Sequence, residues 1–259
     1  IAFSSGSSAP KMYPTKSFDP ESHRTEHALR HAKVLDSVSG DDEIAGSSAW
    51  CAFDYNTHQD FGSGDRICYH GVMDMFRNPK LASSVYRSQM ERELVGDVLE
   101  INTSFDIGEY PAGNLEDIWI FTNADSVKYY ENNILIRQLF KEDSPFKNLK
   151  HGPLYLDDRI GNRLVTEENI KEKYENTVKE IFADIKKYGQ DNLPFATKFN
   201  LFKLKFFKVA SFEKIMELYN KYYACWGGKR KSFKFEAYKN GKLVKTVNKT
   251  CGKDYKLSY

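Results

Sequence analysis

The sequence predicts an α/β segment followed by a β-sandwich that carries a helical insertion, on three observations. Up to about residue 96, helical stripes alternate with a compact apolar cluster at α/β spacing. Beyond it, short alternating segments separated by turn residues dominate, the pattern of packed antiparallel sheets. Two amphipathic stretches, near 166–189 and 211–223, interrupt that β region with a helical period.

Taken in order, residues 22–38 place Ala28, Ala32 and Leu35 on one helical face, and Gly40 follows the end. Within 44–55 the run Ala49, Trp50, Cys51, Ala52, Phe53 has strand length without polar alternation, which suits a strand buried on both faces. A polar, glycine-bearing loop fills 56–66. Asn78 and Pro79 form an N-cap and first-turn pair for a second helix with a face of Leu81, Ala82, Val85, Tyr86 and Gln89. Helix, buried strand, long loop and helix fit one stretch of a (β/α) barrel or of an open α/β sheet.

Short strands follow at 98–103, 117–122, 127–130 and 134–139, the last two joined around Asn132 and Asn133, a residue type that tolerates positive φ. Strands at 233–238 and 243–247 flank Asn240-Gly241, the stronger hairpin signal. Thr166, Glu167 and Glu168 open the first inserted helix, and Lys186 and Lys187 close it ahead of Gly189, so charge complements the helix dipole at both ends. Its face is Ile170, Tyr174, Val178, Ile181 and Ile185. Ser211 opens the second, with Ile215, Leu218, Tyr219 and Tyr222.

At 41% hydrophobic residues the chain has enough apolar material for a core, and no run approaches the roughly 18 apolar residues of a membrane span. A net charge of +2 gives no global argument for nucleic acid. The stretch 221–259 is basic, with eleven Lys and Arg against two acids and interleaved aromatics. Its Lys234 alternates with Phe233 and Phe235 as on a half-exposed strand, so no nucleic-acid partner is expected, and without a spanning run no membrane partner is expected either. Four scattered cysteines, Cys51, Cys68, Cys225 and Cys251, make no disulfide framework, and a reduced, cytoplasmic setting is expected. Residues 1–11, rich in Ser, read as a linker.

Several segments read as words. Met12-Tyr13-Pro14-Thr15-Lys16, followed by Glu26-His27-Ala28-Leu29-Arg30-His31, is one. Trp50-Cys51-Ala52-Phe53-Asp54-Tyr55-Asn56-Thr57-His58 is another, continued by Asp65-Arg66-Ile67-Cys68-Tyr69-His70-Gly71-Val72-Met73-Asp74. Phe121-Thr122-Asn123-Ala124-Asp125-Ser126-Val127 is a third. Together they resemble the C-terminal portion of glycoside hydrolase family 2, in its β-galactosidase-like branch. The resemblance is specific over 12–132 and loose beyond. It implies that 12–95 are the last elements of a TIM (β/α)8 barrel and that 96–259 are an immunoglobulin-like β-sandwich with the helical insertion.

The chemistry implied is hydrolysis of a β-glycosidic bond, commonly a β-galactoside, with retention, which needs two carboxyl groups flanking the scissile bond. Both are expected upstream of this segment. Lys11 stands where the family has a histidine, and Ser7 falls about where the nucleophilic glutamate belongs. No catalytic residue is therefore assigned here, and the chain by itself is expected to be inactive. The resemblance gives it no cofactor, leaves a divalent metal to a complete enzyme, and makes carbohydrate its partner. A homo-oligomer or a complementing chain is expected alongside. The rival readings are a non-catalytic carbohydrate-binding or oligomerisation module and the small subunit of a split glycosidase.

Three residues are singled out for substrate. Trp50, on the last barrel strand, is placed to stack on a sugar, against the alternative of a core tryptophan. Asp54 and His58 lie where the strand exits into its loop, at the end where barrel active sites are built; loop capping is the plainer role for Asp54. His27 and His31 have metal-binding spacing but lack the glutamate of a zinc-protease helix, and a solvated face is expected. His70 and Asp74 are expected to cap a helix start.

Overall fold

The computed structural model of the chain describes residues 15–58, 66–105, 117–223 and 231–251. Ser7, Lys11, the 12–14 part of the first word and the loop residues 59–65 lie outside them. A long helix α1 (Glu21–Ser39) opens the described chain, followed by a two-residue hairpin of β1 (Tyr55–Asn56) on β2 (Ile67–Cys68) and by helices α2 (Ser83–Gln89) and α3 (Arg92–Val95). Strands β3 (Leu99–Ile101), β4 (Trp119–Thr122), β5 (Ser126–Glu131), β6 (Ile134–Phe140) and β7 (Leu154–Tyr155) come next. Four helices follow, α4 (Arg163–Thr166), α5 (Glu172–Tyr188), α6 (Phe195–Phe206) and α7 (Phe212–Tyr223), and then the hairpin of β8 (Lys231–Lys239) and β9 (Lys242–Cys251).

Two antiparallel sheets share one core. The order is β3-β4-β7 in one and β6-β5-β8-β9 in the other. Between them lie Leu99, Ile120 and Leu154 from the first sheet and Val127, Tyr129, Leu139, Phe233, Phe235 and Ala237 from the second. The alternation of β8 places Phe233, Phe235 and Ala237 inward while Ser232, Lys234 and Glu236 face out. Both hairpin turns of the larger sheet carry positive φ at their two central residues, Asn132 and Asn133 in one and Asn240 and Gly241 in the other. That is the backbone twist a two-residue hairpin requires, and asparagine and glycine adopt it at least cost.

The helices form a second core. Val178, Ile181, Phe182 and Ile185 of α5 pack with Ile215, Leu218, Tyr219 and Tyr222 of α7 and with Leu204 of α6. Helix α5 begins at Glu172, not at Thr166, because Asn169 takes φ +57 and ends the short turn of α4. Glu168 is thereby free to pair with Lys221 at 2.5 Å. Helix α6 was not expected at all. Its phenylalanines face solvent on one side while Leu204 and Thr197 are buried on the other, so no polar face marks a helical period.

The first segment differs from expectation in two places. Residues 44–53 form no strand ladder; Phe53 makes a single parallel bridge to Met73, and Ile44, Trp50 and Phe53 are exposed. A strand buried on both faces needs a neighbour on each side, and the described residues supply contacts on one side through 71–73. Asn78 and Pro79 do not open α2. Asn78 donates its backbone N–H and its amide to Asp74, closing a tight turn, and Asp74 therefore serves that turn and not a helix start. A third core joins this segment to the first sheet: Ala28 and Ala32 of α1 and Val72, Ala82 and Val85 pack on Phe121 of β4.

Candidate functional site

Segment 50–58 is held from behind by 71–73. The backbone N–H of Val72 donates to Cys51 O at 3.1 Å, Met73 to Ala52 O at 3.0 Å, and Asp54 to Met73 O at 3.0 Å. The approach is so close at Gly71 that a Cβ there would lie 2.3 Å from Phe53 C and Asp54 N, so only glycine fits. Beyond this clamp, β1 pairs with β2 in the register Tyr55 with Cys68 and Asn56 with Ile67.

Asp54 turns inward from the clamp. Its Oδ1 accepts the Gly71 backbone N–H at 2.9 Å and the Lys80 ammonium at 2.6 Å, and both charged side chains are only 3% exposed. Lys80 Nζ also donates to Thr15 O at 2.7 Å and Tyr69 O at 3.2 Å, so the buried cation is well supplied with acceptors. Burial pushes the Asp54 carboxyl up and the Lys80 ammonium down, and their mutual hydrogen bond and opposite charge resist both shifts. The bonds tie four backbone stretches together: Thr15, the Trp50 segment, Tyr69 to Gly71, and the approach to α2. Asp54 thus stands in the interior as an anchor, not at the surface as a sugar ligand.

Trp50 is 52% exposed. Its indole N–H donates to the Tyr55 hydroxyl at 3.1 Å, and the two rings meet edge to face with centroids 6.3 Å apart. The indole is thereby fixed while about half of it remains open to solvent, which suits a stacking platform. His58 is exposed at the end of the same segment. Beside them the Arg77 guanidinium lies over the Phe53 ring at 5.5 Å. The Cys51 thiol is pushed up to about 11 by burial, which makes it a poor nucleophile at neutral pH.

Behind the site, α1 carries two histidines that are buried and not solvated as the spacing had suggested. His31 Nδ1 lies 2.7 Å from the Tyr86 hydroxyl and its Nε2 lies 3.1 Å from His27 Nε2. They are buried because His31 falls within the same stripe as Ala28 and Ala32, against α2. Burial, reinforced for His27 by the nearby His31, pushes His27 down to about 3 and His31 to about 4. His70 packs its Nδ1 3.1 Å from Cys68 Sγ and caps no helix. Among the described residues no group of three or more His, Cys, Asp or Glu is placed to hold a metal ion, and no helix is long and apolar enough to cross a membrane.

The functional groups missed from sequence are Tyr55, Lys80 and Gly71. The first could have been found from its position five residues after Trp50, inside the same word. Lys80 carries no such signal, because nothing in the sequence pairs it with Asp54 across 26 positions.

No protein-family model matches the chain. Curated relatives do. The β-galactosidase of Thermoanaerobacterium thermosulfurigenes is 47% identical over 147 residues, which are 56% of this chain and 20% of that protein. The β-galactosidase of Thermoanaerobacter pseudethanolicus is 39% identical over 165 residues, 60% of this chain and 22% of that one. That of Rhizobium meliloti is 29% identical over 151 residues, 57% of this chain and 20% of the relative. Among solved structures, a β-glucuronidase of Parabacteroides merdae aligns with 90% of this chain and 20% of its own, at 12% identity and TM-score 0.47. A β-glucuronidase from glycoside hydrolase family 2 aligns with 87% and 15%, at 14% identity and TM-score 0.43. The chain is thus similar to curated β-galactosidases over somewhat more than half of its own length, and it spans about a fifth of the length of those relatives.

Proposed function

We propose that this chain supplies the end of the catalytic barrel and the following immunoglobulin-like sandwich of a retaining β-glycosidase, a β-galactosidase in the first instance. The observation that carries the reading is the half-exposed Trp50, fixed by Tyr55 and backed by the Gly71 clamp. An indole face so placed stacks on the C–H face of a pyranose, with His58 at the rim, while Asp54 and Lys80 hold the segment in position. Hydrolysis itself needs one carboxylate as nucleophile and one as acid then base. In this reading both come from barrel strands upstream, so the chain alone binds galactosides negligibly and turns none over. A divalent metal, where the complete enzyme uses one, belongs to that upstream part as well. The reading of the chain as a complementing subunit differs only in whether those strands arrive on the same polypeptide.

The test is to join this chain to the upstream residues of the Thermoanaerobacterium thermosulfurigenes relative and follow hydrolysis of an aryl β-galactoside. The joined protein should be active and the isolated chain silent. In the joined protein Trp50→Ala should lower kcat/KM roughly 5- to 150-fold, the worth of one aromatic stacking contact. Unchanged kinetics with a lowered melting temperature would make Trp50 a core residue and end the proposal.

A further inference from the structure

Among the described residues, the exposed face of α6 is a feature that a glycosidase reading leaves unused. Phe195, Phe199, Phe202 and Phe206 are 85, 54, 62 and 70% exposed. At about 100° per residue they fall within about 60° of one another, so they form a single ridge along the helix. Phe202 and Phe206 stack at 6.2 Å, while Phe207 at the helix end meets Phe206 edge to face at 5.3 Å and turns toward Tyr174. On the opposite side Thr197 and Leu204 are buried, with the Thr197 hydroxyl bonded to Asp184 of α5. The helix is therefore seated on the protein by one face and presents its aromatic face outward.

The charged residues that α6 itself carries are of one sign. Lys198 and Lys205 lie along one flank and Lys203 along the other, with Lys203 Nζ 5.8 Å from the centre of the Phe199 ring. Lys208 follows, and between Phe195 and Ser211 there are four lysines and no Asp or Glu. At the end of the ridge Lys205 and Lys208 line an open pocket of about 390 Å³ together with Val209, Ala210, Ser211 and Lys214, whose ammonium is paired with Glu168 at 3.5 Å and Glu217 at 3.3 Å. Ser211 Oγ accepts the Lys214 backbone N–H there, at the start of α7.

We infer that the α6 ridge is a docking surface for an anionic phospholipid bilayer, lying on the membrane and not spanning it. A convex ridge of phenylalanines enters the boundary between headgroups and acyl chains, and lysines on both flanks extend back to the phosphates. Lys205 and Lys208 at the pocket receive one headgroup. A second copy of the chain is the poorer occupant, because pairing ridge with ridge sets four lysines against four lysines from a segment, 195–211, that holds no acid of its own. The expectation of no membrane partner rested on the lack of a spanning run, which an interfacial helix does not need.

Flotation with phosphatidylglycerol vesicles, against phosphatidylcholine vesicles as the neutral reference, tests this. The chain should float with the anionic vesicles at low salt and be released as salt rises. Lys203→Gln and Lys205→Gln should each weaken partitioning roughly fivefold, and Phe199→Ser with Phe202→Ser roughly tenfold or more. All four side chains are exposed, and a circular dichroism melt checks that the fold survives. No flotation, or equal flotation of the parent and the variants, overturns the inference. So does a dimer seen by sedimentation that the phenylalanine variant dissolves, since a second copy would then cover the ridge.

Discussion

Acidification from about pH 7 to about pH 5 should destabilise this chain by about 4 kcal/mol through His27 and His31 alone. Their folded-state values are pushed down to about 3 and about 4. In the unfolded chain both return to about 6.5 and take up protons across this range. The unfolded state then binds more protons than the native state, so stability falls as pH falls. Each histidine contributes about 1.9 kcal/mol over this interval, because the native pair stays neutral while the unfolded pair becomes charged. The loss begins near the unfolded value and continues until the folded values are passed. Carboxylates with lowered values, Asp158 and Glu168 among them, act in the same direction but only at lower pH. His70 and His151, also pushed down by burial, add to the slope. The assay is urea unfolding followed by far-UV circular dichroism at a series of pH values, for the parent chain and for His27→Gln/His31→Gln. The parent should lose stability steeply and the double variant should keep only the part due to His70 and His151. Parallel slopes for the two proteins would refute the assignment of the neutral buried pair.

Removing one partner of the buried ion pair, as in Asp54→Ala, should cost about 3–5 kcal/mol, because Lys80 is left charged or forced neutral in the interior. Replacing both, as in Asp54→Leu with Lys80→Met, should cost less than the sum, which a double-mutant cycle by urea denaturation reads directly. Gly71→Ala should cost about 3 kcal/mol or more and broaden the Trp50 environment in fluorescence, since the new methyl meets backbone atoms that cannot rotate away.

The hairpins were legible in the sequence because Asn132-Asn133 and Asn240-Gly241 act locally; a turn residue fixes its own φ whatever surrounds it. The faces of α5 and α7 were legible because each sets one apolar stripe against a polar remainder. Helix α6 was hidden by having apolar residues on both sides, and the start of α5 was misplaced because Asn169 breaks the turn after a good capping sequence. The candidate site divides the same way. Trp50 was legible as part of a word, while its orientation depends on Tyr55 and on the backbone clamp at Gly71. Asp54 was legible as a residue but not as a buried anchor, because its partner Lys80 arrives from a turn whose geometry is set by Asp74 and Asn78. His27 and His31 show that a polar side chain within an alanine stripe is drawn inside when a hydroxyl such as that of Tyr86 waits there.

Phe121 of β4 is fully buried beneath α1, Val72 and α2, although it belongs to the sheet on the far side of Gly96. Gene segments exchanged between relatives at that glycine would pair one parent's helices with another parent's strand across an aromatic side chain that neither had met. Such chimaeras inherit mismatched volumes at the seam, and shuffled libraries should be poor in crossovers there. An exchange that keeps this packing has to carry α1 through β4 together, and with them β7, which pairs with β4.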